Sequence, residues 1–335
     1  MLTIDMHTHI LPNGWPDLGS KYNIGGFPSL SREDERMIIM RNGKFFREIW
    51  KNIWDIDTRI EEYAAFGVDV QVVCTVPIMF CYHAEAKHTL ELARFLNDDI
   101  ARTQQDHPRE VIGLGTIPMQ DTGTAISELV RLREQLSIPG VQIGSNINNR
   151  NLNDPEMFPI FEAAMDLDMA IMVHPWEMMG SEHMPQYWLP WLVGMPAEIS
   201  RAICSLIFGG VLERLPELRF CFAHGGGAFP YTIGRIEHGF NMRPDLVATD
   251  NPVDPRDYLG RFFVDSVTHD PQALRYLMDV SGEDTVMMGT DYPFPLGEQE
   301  PGSVIRALNL PVHTQEKLFH GNTLRWLGLD LADFT

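Results

Sequence analysis

Short apolar runs alternate with longer stretches of mixed polarity along most of the chain. The runs have the length of β-strands, and the stretches between them are long enough for helices. The eight runs lie at residues 4–9, 69–76, 111–117, 140–144, 170–174, 219–224, 261–265 and 285–291. Near-continuous apolar strands that alternate with helices predict a parallel sheet buried on both faces. Eight such units within 335 residues predict a closed (β/α)8 TIM-type barrel of the α/β class.

The segment at about residues 13–58 is too long for an ordinary loop between a strand and a helix. Within it, Asn42-Gly43 separates two apolar runs at 37–41 and 44–49. Because Asn and Gly tolerate the positive φ angles of a type I′ turn, this pattern predicts a β-hairpin with Arg47 on its second strand. We therefore expect one domain over residues 1–335, with a small inserted hairpin after the first strand.

Two of the helical stretches carry start signals, Asp154-Pro155 and Asp270-Pro271. A capping Asp followed by Pro at the first helical position is typical of a helix N-terminus. We therefore expect helices to begin at Pro155 and at Pro271.

The composition narrows the classes of partner. A formal charge of −20 argues against nucleic acid or an anionic membrane, because either would be repelled over most of the surface. No apolar run approaches the ~18 residues of a membrane span, and the N-terminus lacks a secretory signal pattern. The four cysteines have no zinc-binding spacing, so we expect reduced thiols and a cytoplasmic protein.

Histidine or aspartate side chains end several predicted strands: His7 and His9 the first, His174 the fifth, His224 the sixth and Asp291 the eighth. Barrel active sites lie at the C-terminal ends of the strands, so these side chains should converge. The i, i+2 spacing of His7 and His9 puts both on one face, about 6 to 7 Å apart, which suits two ligands of one metal. A single strand-end histidine is commonly structural, but five such groups at one rim indicate a site.

We predict that His7, His9, His174 and Asp291 bind the metal, because three imidazoles, a carboxylate and a water make a catalytic zinc shell. His224 is then left as the catalytic acid/base. Gly225-Gly226-Gly227 follows it, and backbone and ligand approach closely in such a run. A tight turn after the strand accounts for the glycines equally well.

Lysine usage restricts the chemistry. None of the five lysines lies between Lys87 and Lys317, so a mid-chain Schiff base or a carbamylated lysine bridging two metals is excluded. The metal site should therefore be mononuclear.

Two stretches resemble pocket walls, 174–180 after the fifth strand and the Pro- and aromatic-rich 187–196. From these we predict that Met178 and Trp191 contact the ligand, and that Phe294, in a rigid Pro-rich loop after Asp291, does so too. A role in the core or in an interface explains such side chains equally well.

The motifs His7-Thr8-His9, His174-Pro175-Trp176, 188–198, 224–230 and 289–298 together resemble the α-amino-β-carboxymuconate-ε-semialdehyde decarboxylases of the amidohydrolase superfamily. The resemblance covers essentially the whole chain. It implies a (β/α)8 barrel, one Zn²⁺ per subunit, and non-hydrolytic loss of CO2 from a small anionic muconate semialdehyde of the kynurenine pathway of tryptophan catabolism, 2-amino-3-carboxymuconate 6-semialdehyde, to give 2-aminomuconate 6-semialdehyde.

The resemblance also assigns residues. It places the zinc ligands on His7, His9, His174 and Asp291, with Asp291 also catalytic, and the catalytic histidine on His224. It further implies that Arg47 binds a substrate carboxylate and that Arg235 does so from the partner subunit of a homodimer.

Two other functions fit the same residues. A mononuclear zinc hydrolase of the same superfamily would act on a lactone or amide with the same ligands. A catalytically silent metal-binding barrel would leave His224 without a task.

Overall fold

The computed structural model describes residues 1–334. Eight parallel strands form its centre: Ile4–His9 (β1), Val70–Cys74 (β5), Val111–Gly113 (β6), Gly140–Gly144 (β7), Ala170–His174 (β10), Phe220–Phe222 (β11), Phe263–Asp265 (β12) and Val286–Met287 (β13). The five remaining strands are Pro28–Glu33 (β2), Arg36–Arg41 (β3), Lys44–Trp50 (β4), Asn146–Ile147 (β8) and Arg150–Asn151 (β9). Each predicted barrel strand is present, although several are shorter than predicted because their ends bend into loops.

The eight parallel strands close into a barrel. Their hydrogen bonds form two ladders, β1-β5-β6 and β7-β10-β11-β12-β13. Bridges between Gly115 and Val141 and between Thr8 and Tyr292 join the ladders on both sides. The predicted (β/α)8 barrel is therefore confirmed.

Within residues 1–334, thirteen α-helices connect or flank the strands. They are Leu18–Tyr22 (α1), Ile56–Ala64 (α2), Ala86–Asp106 (α3), Thr122–Glu134 (α4), Phe158–Asp166 (α5), Met195–Phe208 (α6), Val211–Arg214 (α7), Phe229–Met242 (α8), Pro244–Val247 (α9), Pro271–Ser281 (α10), Ser303–Ala307 (α11), Val312–Glu316 (α12) and Asn322–Leu327 (α13). Short 3-10 turns and two π turns, Pro190–Gly194 and Lys317–Gly321, complete the helical structure.

The two predicted helix starts differ in outcome. Helix α10 begins at Pro271 as predicted, and the Asp270 side chain accepts from the backbone N–H groups of Gln272 and Ala273. Helix α5 begins at Phe158 instead of Pro155, so that prediction was wrong. The Asp154 carboxylate accepts from the N–H of Glu156 at 3.0 Å and caps a turn that precedes the helix.

The insertion after β1 forms a small antiparallel sheet beside the barrel. Strands β3 and β4 make a hairpin in which Arg41 pairs with Lys44 around the Asn42-Gly43 turn. Asn42 and Gly43 have φ angles of 53° and 70°, as such a turn requires. The pattern did not predict the third strand, β2, which pairs with β3. A single domain with this insertion stays a prediction.

An extra residue in β1 directs the histidines into the barrel. Asp5 pairs with Gln71 but Thr8 pairs with Val73, so β1 contains one more residue than its partner strand there. Ile4 and Met6 face the barrel interior before this bulge. Because a bulge shifts the alternation of side chains by one position, His7 and His9 lie on the same face as Ile4 and Met6.

The bottom of the barrel is filled by the C-terminal helix. The interior core combines strand residues with Leu324, Trp326 and Leu327 of α13. Trp326 is fully buried, and its indole Nε1 donates to the carbonyl of Arg219 at 3.2 Å. The opposite end of the barrel, at the C-terminal ends of the strands, is not filled by this helix and is where we look for the functional site.

One helical segment, Pro190–Phe208, is long and apolar enough to span a membrane by length and composition alone. The segment contains Glu198 and Arg201, so it is not an uninterrupted apolar run of the kind that the sequence analysis considered. Ile199, Ile203 and Leu206 are fully buried against the barrel in this segment. A core helix of a soluble protein passes the same test, so the segment is weak evidence for a membrane.

Candidate metal centre and active site

Three imidazoles and one carboxylate converge where the strands end. They belong to His7, His9, His174 and Asp291, and one ligand atom from each lies within 4.8 Å of the others. His9 Nε2 is 3.0 Å from Asp291 Oδ1 and 3.3 Å from His7 Nε2. This arrangement is a metal site, and it groups the four residues predicted as ligands.

In each of the three imidazoles, the ring nitrogen Nδ1 makes a hydrogen bond that fixes the orientation of the ring. The acceptors are Asp265 Oδ2 for His7 at 2.7 Å, the Thr75 carbonyl for His9 at 2.9 Å and the Pro175 carbonyl for His174 at 3.0 Å. In a neutral ring, such a bond puts the proton on Nδ1 and leaves Nε2 free to face the common centre. His174 Nε2 is buried without a hydrogen-bond partner in residues 1–334, as expected for a metal ligand.

The electrostatics favour the metal-binding forms of His9, His174 and Asp291. His7 differs, because burial lowers its pKa but the hydrogen bond to Asp265 and the charge of Asp291 raise it by more. Burial lowers the pKa of His9, and the bond to Asp291 offsets this only in part. Burial and the charges of His224 and His9 hold the pKa of His174 well below its usual value. Burial raises the pKa of Asp291, but the interactions with His224 and His9 lower it by more than burial raises it. The pKa of Asp291 is therefore well below its usual value. Neutral imidazoles and an ionised carboxylate are the species that metal binding requires.

His224 lies beside this cluster without belonging to it. Its ring stacks on that of His7 with centroids 5.4 Å apart, and its Nε2 is 3.6 Å from Asp291 Oδ2. Nε2 is buried and has no hydrogen-bond partner in the described part of the chain. His224 therefore presents a free ring nitrogen next to the metal site, where its predicted acid/base role requires it.

Arg47 and Phe294 form the wall on the insertion side. The guanidinium carbon of Arg47 is 4.3 Å from the centre of the Phe294 ring, and that ring is 5.1 Å from the His9 ring. Burial lowers the pKa of Arg47, whereas the charge of Asp291 raises it. Both residues line a narrow cavity of about 40 Å³ that reaches His174. The structure thus brings two of the predicted substrate contacts to the centre.

A larger cavity of about 550 Å³ lies on the other side of Asp291, next to His224. Trp191 lines both cavities, so the third predicted contact also faces the site. Met178 lines neither cavity. Met178 is 93% buried and packs against Gly194, so it occupies a core position. Its contact with the substrate stays a prediction.

Arg235 lies outside both cavities. It is exposed on α8, one turn beyond Tyr231, which lines the larger cavity. Arg235 has no hydrogen bond or ion pair to any residue of 1–334.

Two buried acidic residues that the sequence reasoning did not select support the site. Asp265, at the end of β12, accepts the His7 hydrogen bond and is completely buried. Glu198 on α6 accepts from Asn146 Nδ2 at 2.9 Å and from the N–H of Met179 at 3.0 Å, which fixes the loop after β10. Asp265 carried a usable signal, because it is a strand-end carboxylate like Asp291. Glu198 carried none.

The family model described as Amidohydrolase matches residues 4–329. This chain belongs to the amidohydrolase family. Two relatives of this amidohydrolase are both named 2-amino-3-carboxymuconate-6-semialdehyde decarboxylase. The one from Dictyostelium discoideum is 56% identical and aligns over 98% of this chain and 92% of the relative. The one from Caenorhabditis elegans is 35% identical over 98% of this chain and 94% of the relative.

Solved structures share the fold of this amidohydrolase. An apo Metarhizium anisopliae IDCase has a TM-score of 0.85 at 21% identity, covering 98% of this chain and 97% of that one. A 5-carboxyvanillate decarboxylase from Novosphingobium aromaticivorans, complexed with manganese, has a TM-score of 0.81 at 22% identity, covering 98% and 96%. These likenesses confirm the barrel of this amidohydrolase.

Proposed function

We propose that this amidohydrolase is a non-hydrolytic, metal-dependent decarboxylase. Its substrate is 2-amino-3-carboxymuconate 6-semialdehyde, and its products are 2-aminomuconate 6-semialdehyde and CO2. The observation that carries the proposal is the position of Arg47 and His224, which line adjacent cavities that share Asp291 and Trp191. The substrate assignment is supported by the named relative that is 56% identical over 98% of the chain.

The proposed metal is one Zn²⁺ per subunit. Three imidazole nitrogens and one carboxylate oxygen are a donor set that zinc prefers in catalytic sites. A bound divalent ion supplies Lewis acidity, which stabilises negative charge on an oxygen ligand. A second ion bridged by a carbamylated lysine does not fit, because no lysine lies between Lys87 and Lys317.

Arg47 binds the substrate through a carboxylate. Its planar guanidinium offers two parallel N–H donors to the two carboxylate oxygens. Packing against the Phe294 ring at 4.3 Å limits the orientations of that guanidinium. The substrate is therefore held between the insertion and the metal centre, with one carboxylate directed away from the cluster.

His224 is the acid/base that exchanges the proton required by the reaction. Loss of CO2 breaks one carbon–carbon bond and leaves its electron pair on the substrate, and one proton adds to the carbon that carried the carboxylate. No net water is consumed. The free Nε2 of His224, 3.6 Å from Asp291 Oδ2, holds and exchanges a proton beside the reacting carbon.

The protein acts as a homodimer in which Arg235 completes the site of the partner subunit. Helix α8 exposes Tyr231 and Met242 at 82% and 63% on the surface that carries Arg235. Exposed Leu192 and Tyr276 continue this apolar surface around the larger cavity. A second subunit packed there would cover the apolar side chains and bring an unpaired guanidinium to the cavity mouth.

A cytoplasmic location is part of the same proposal, supported by four cysteines that form no disulfide.

Metal analysis combined with a substrate assay tests the proposal. Metal-free protein is reconstituted with one equivalent of Zn²⁺ or of Mn²⁺, and loss of the substrate's near-ultraviolet absorbance is recorded together with released CO2. We expect one CO2 per substrate consumed, with the chelated protein as the inactive control. Substrate loss with uptake of water and without CO2 would instead identify a zinc hydrolase, and no turnover at all a silent metal-binding barrel.

A further inference from the structure

Asp265 connects the metal centre to the catalytic histidine through a single carboxylate. It is fully buried at the end of β12. Its Oδ2 accepts from His7 Nδ1 at 2.7 Å and from the backbone N–H of His224 at 2.9 Å. Its Oδ1 accepts from the N–H groups of Gly225 at 2.8 Å and Val267 at 3.1 Å. Four donors saturate the carboxylate.

The bond to His7 distinguishes this ligand from the other two. His9 and His174 donate Nδ1–H to backbone carbonyls, whereas His7 donates to a carboxylate. A carboxylate acceptor fixes the Nδ1–H tautomer and makes the opposite nitrogen a more basic metal ligand. The orientation and basicity of His7 Nε2 therefore depend on Asp265.

The backbone bonds of Asp265 hold the turn that aims His224. His224 and Gly225 have φ angles of 55° and 60°, in the left-handed region that a histidine rarely adopts. Such a conformation persists only where surrounding contacts fix it. The N–H groups of both residues are pinned to the two oxygens of Asp265.

We propose that Asp265 is a positioning residue that couples metal binding by His7 to the placement of His224. The role assigned to His224 rests on the proposed function. The metal part rests only on the cluster of His7, His9, His174 and Asp291.

Replacing Asp265 by asparagine tests the coupling, because the two amide orientations are unequal. If the asparagine amide nitrogen Nδ2 takes the place of Oδ1, this donor faces two fixed donors, the N–H groups of Gly225 and Val267. If Nδ2 takes the place of Oδ2, it faces only one fixed donor, the N–H of His224. The His7 ring can change tautomer, so that its Nδ1 accepts a hydrogen bond from Nδ2. The second orientation is favoured. It puts the His7 proton on Nε2 and removes a backbone anchor of His224 at the same time.

The experiment compares Asp265→Asn with Glu128→Gln. Glu128 is also a fully buried carboxylate with several hydrogen bonds, but its partners Arg94, Asn97 and Arg131 are not site residues. Zn²⁺ affinity of each apoprotein is measured by competition with a chelator, and turnover is measured at saturating Zn²⁺. We expect a Kd raised about 10- to 100-fold and turnover lowered at least about 10-fold for Asp265→Asn. Glu128→Gln should keep both within about twofold.

A wild-type Kd in folded Asp265→Asn, or equal losses in Glu128→Gln, would overturn the proposal, as would a loss of only one of the two properties. If Asp265→Asn does not fold, ¹⁵N NMR of the wild-type apoprotein at alkaline pH decides. The Nδ1–H tautomer of His7 is expected, and Nε2–H would refute the arrangement. The affinity measurement uses no substrate, so it remains valid if the wild-type protein does not decarboxylate the proposed substrate.

Discussion

The two oxygens of Asp291 face different partners: Oδ1 lies 3.0 Å from His9 Nε2, and Oδ2 lies 3.6 Å from His224 Nε2. One carboxylate thus borders both the metal ligands and the proposed acid/base. Removing a ligand and removing the acid/base should therefore have separable effects.

Asp291→Ala and His174→Ala should lose both metal and activity, because three remaining ligands bind Zn²⁺ much more weakly than four. His224→Ala should retain about one ion per chain and lose turnover by about 10²- to 10⁴-fold. Metal content of the purified variants, measured beside kcat, separates the two roles. Metal-free His224→Ala would show that the ligand assignment is wrong.

Arg47→Lys should lower kcat/KM although it keeps the charge, because lysine lacks the planar pair of donors. A lost charged hydrogen bond is worth about 1.5 to 3 kcal/mol, which corresponds to roughly a 10- to 100-fold decrease. Arg36→Lys is the control, since Arg36 lies on the adjacent strand of the same sheet and pairs with Glu33 on the surface. Equal activity of both variants and the wild type would place Arg47 outside the substrate site.

Arg47→Ala and Arg235→Ala should each be nearly inactive alone but recover activity when mixed. In a mixed dimer, one site carries both defects and the other has an intact Arg47 and an intact Arg235. About half of the dimers are mixed after random exchange, so recovery should approach roughly a quarter of wild-type activity. Absence of recovery, under conditions shown to exchange subunits, would exclude the contribution of Arg235 across the interface.

Trp326→Ala should lower the free energy of unfolding by about 3 to 5 kcal/mol, because it empties the closed end of the barrel. Trp50→Ala makes a matched control, since the Trp50 side chain is 58% exposed and should contribute within about 0.5 kcal/mol. Denaturant unfolding of both variants gives the comparison. The metal centre is at the opposite end, so the metal content of Trp326→Ala should be unchanged at low temperature.

The sequence was sufficient for the barrel and for the metal ligands because both depend on local patterns. Strand periodicity defined the eight strands, and the rule that barrel sites lie at strand ends selected His174 and Asp291, although 117 positions separate them. The same strand-end rule could have selected Asp265, but it does not say which side chains pair, so the bond from His7 to Asp265 could not be predicted. Helix α5 began later than predicted because Asp154 capped an isolated turn, which has the same local signal as a helix start.

The bulge in β1 makes the length of this strand as important to the chemistry as its composition. If all six residues of β1 paired regularly from Ile4 onward, without the bulge, His7 and His9 would both face away from the barrel interior. Substitutions at Ile4 or Met6 alter only packing, whereas one further residue inserted between Met6 and His7 would turn both imidazoles away from the centre without supplying a replacement. Over evolution, insertions should therefore be absent from residues 4–9, whereas insertions and deletions should be concentrated in segments such as 13–58, where the chain leaves the barrel.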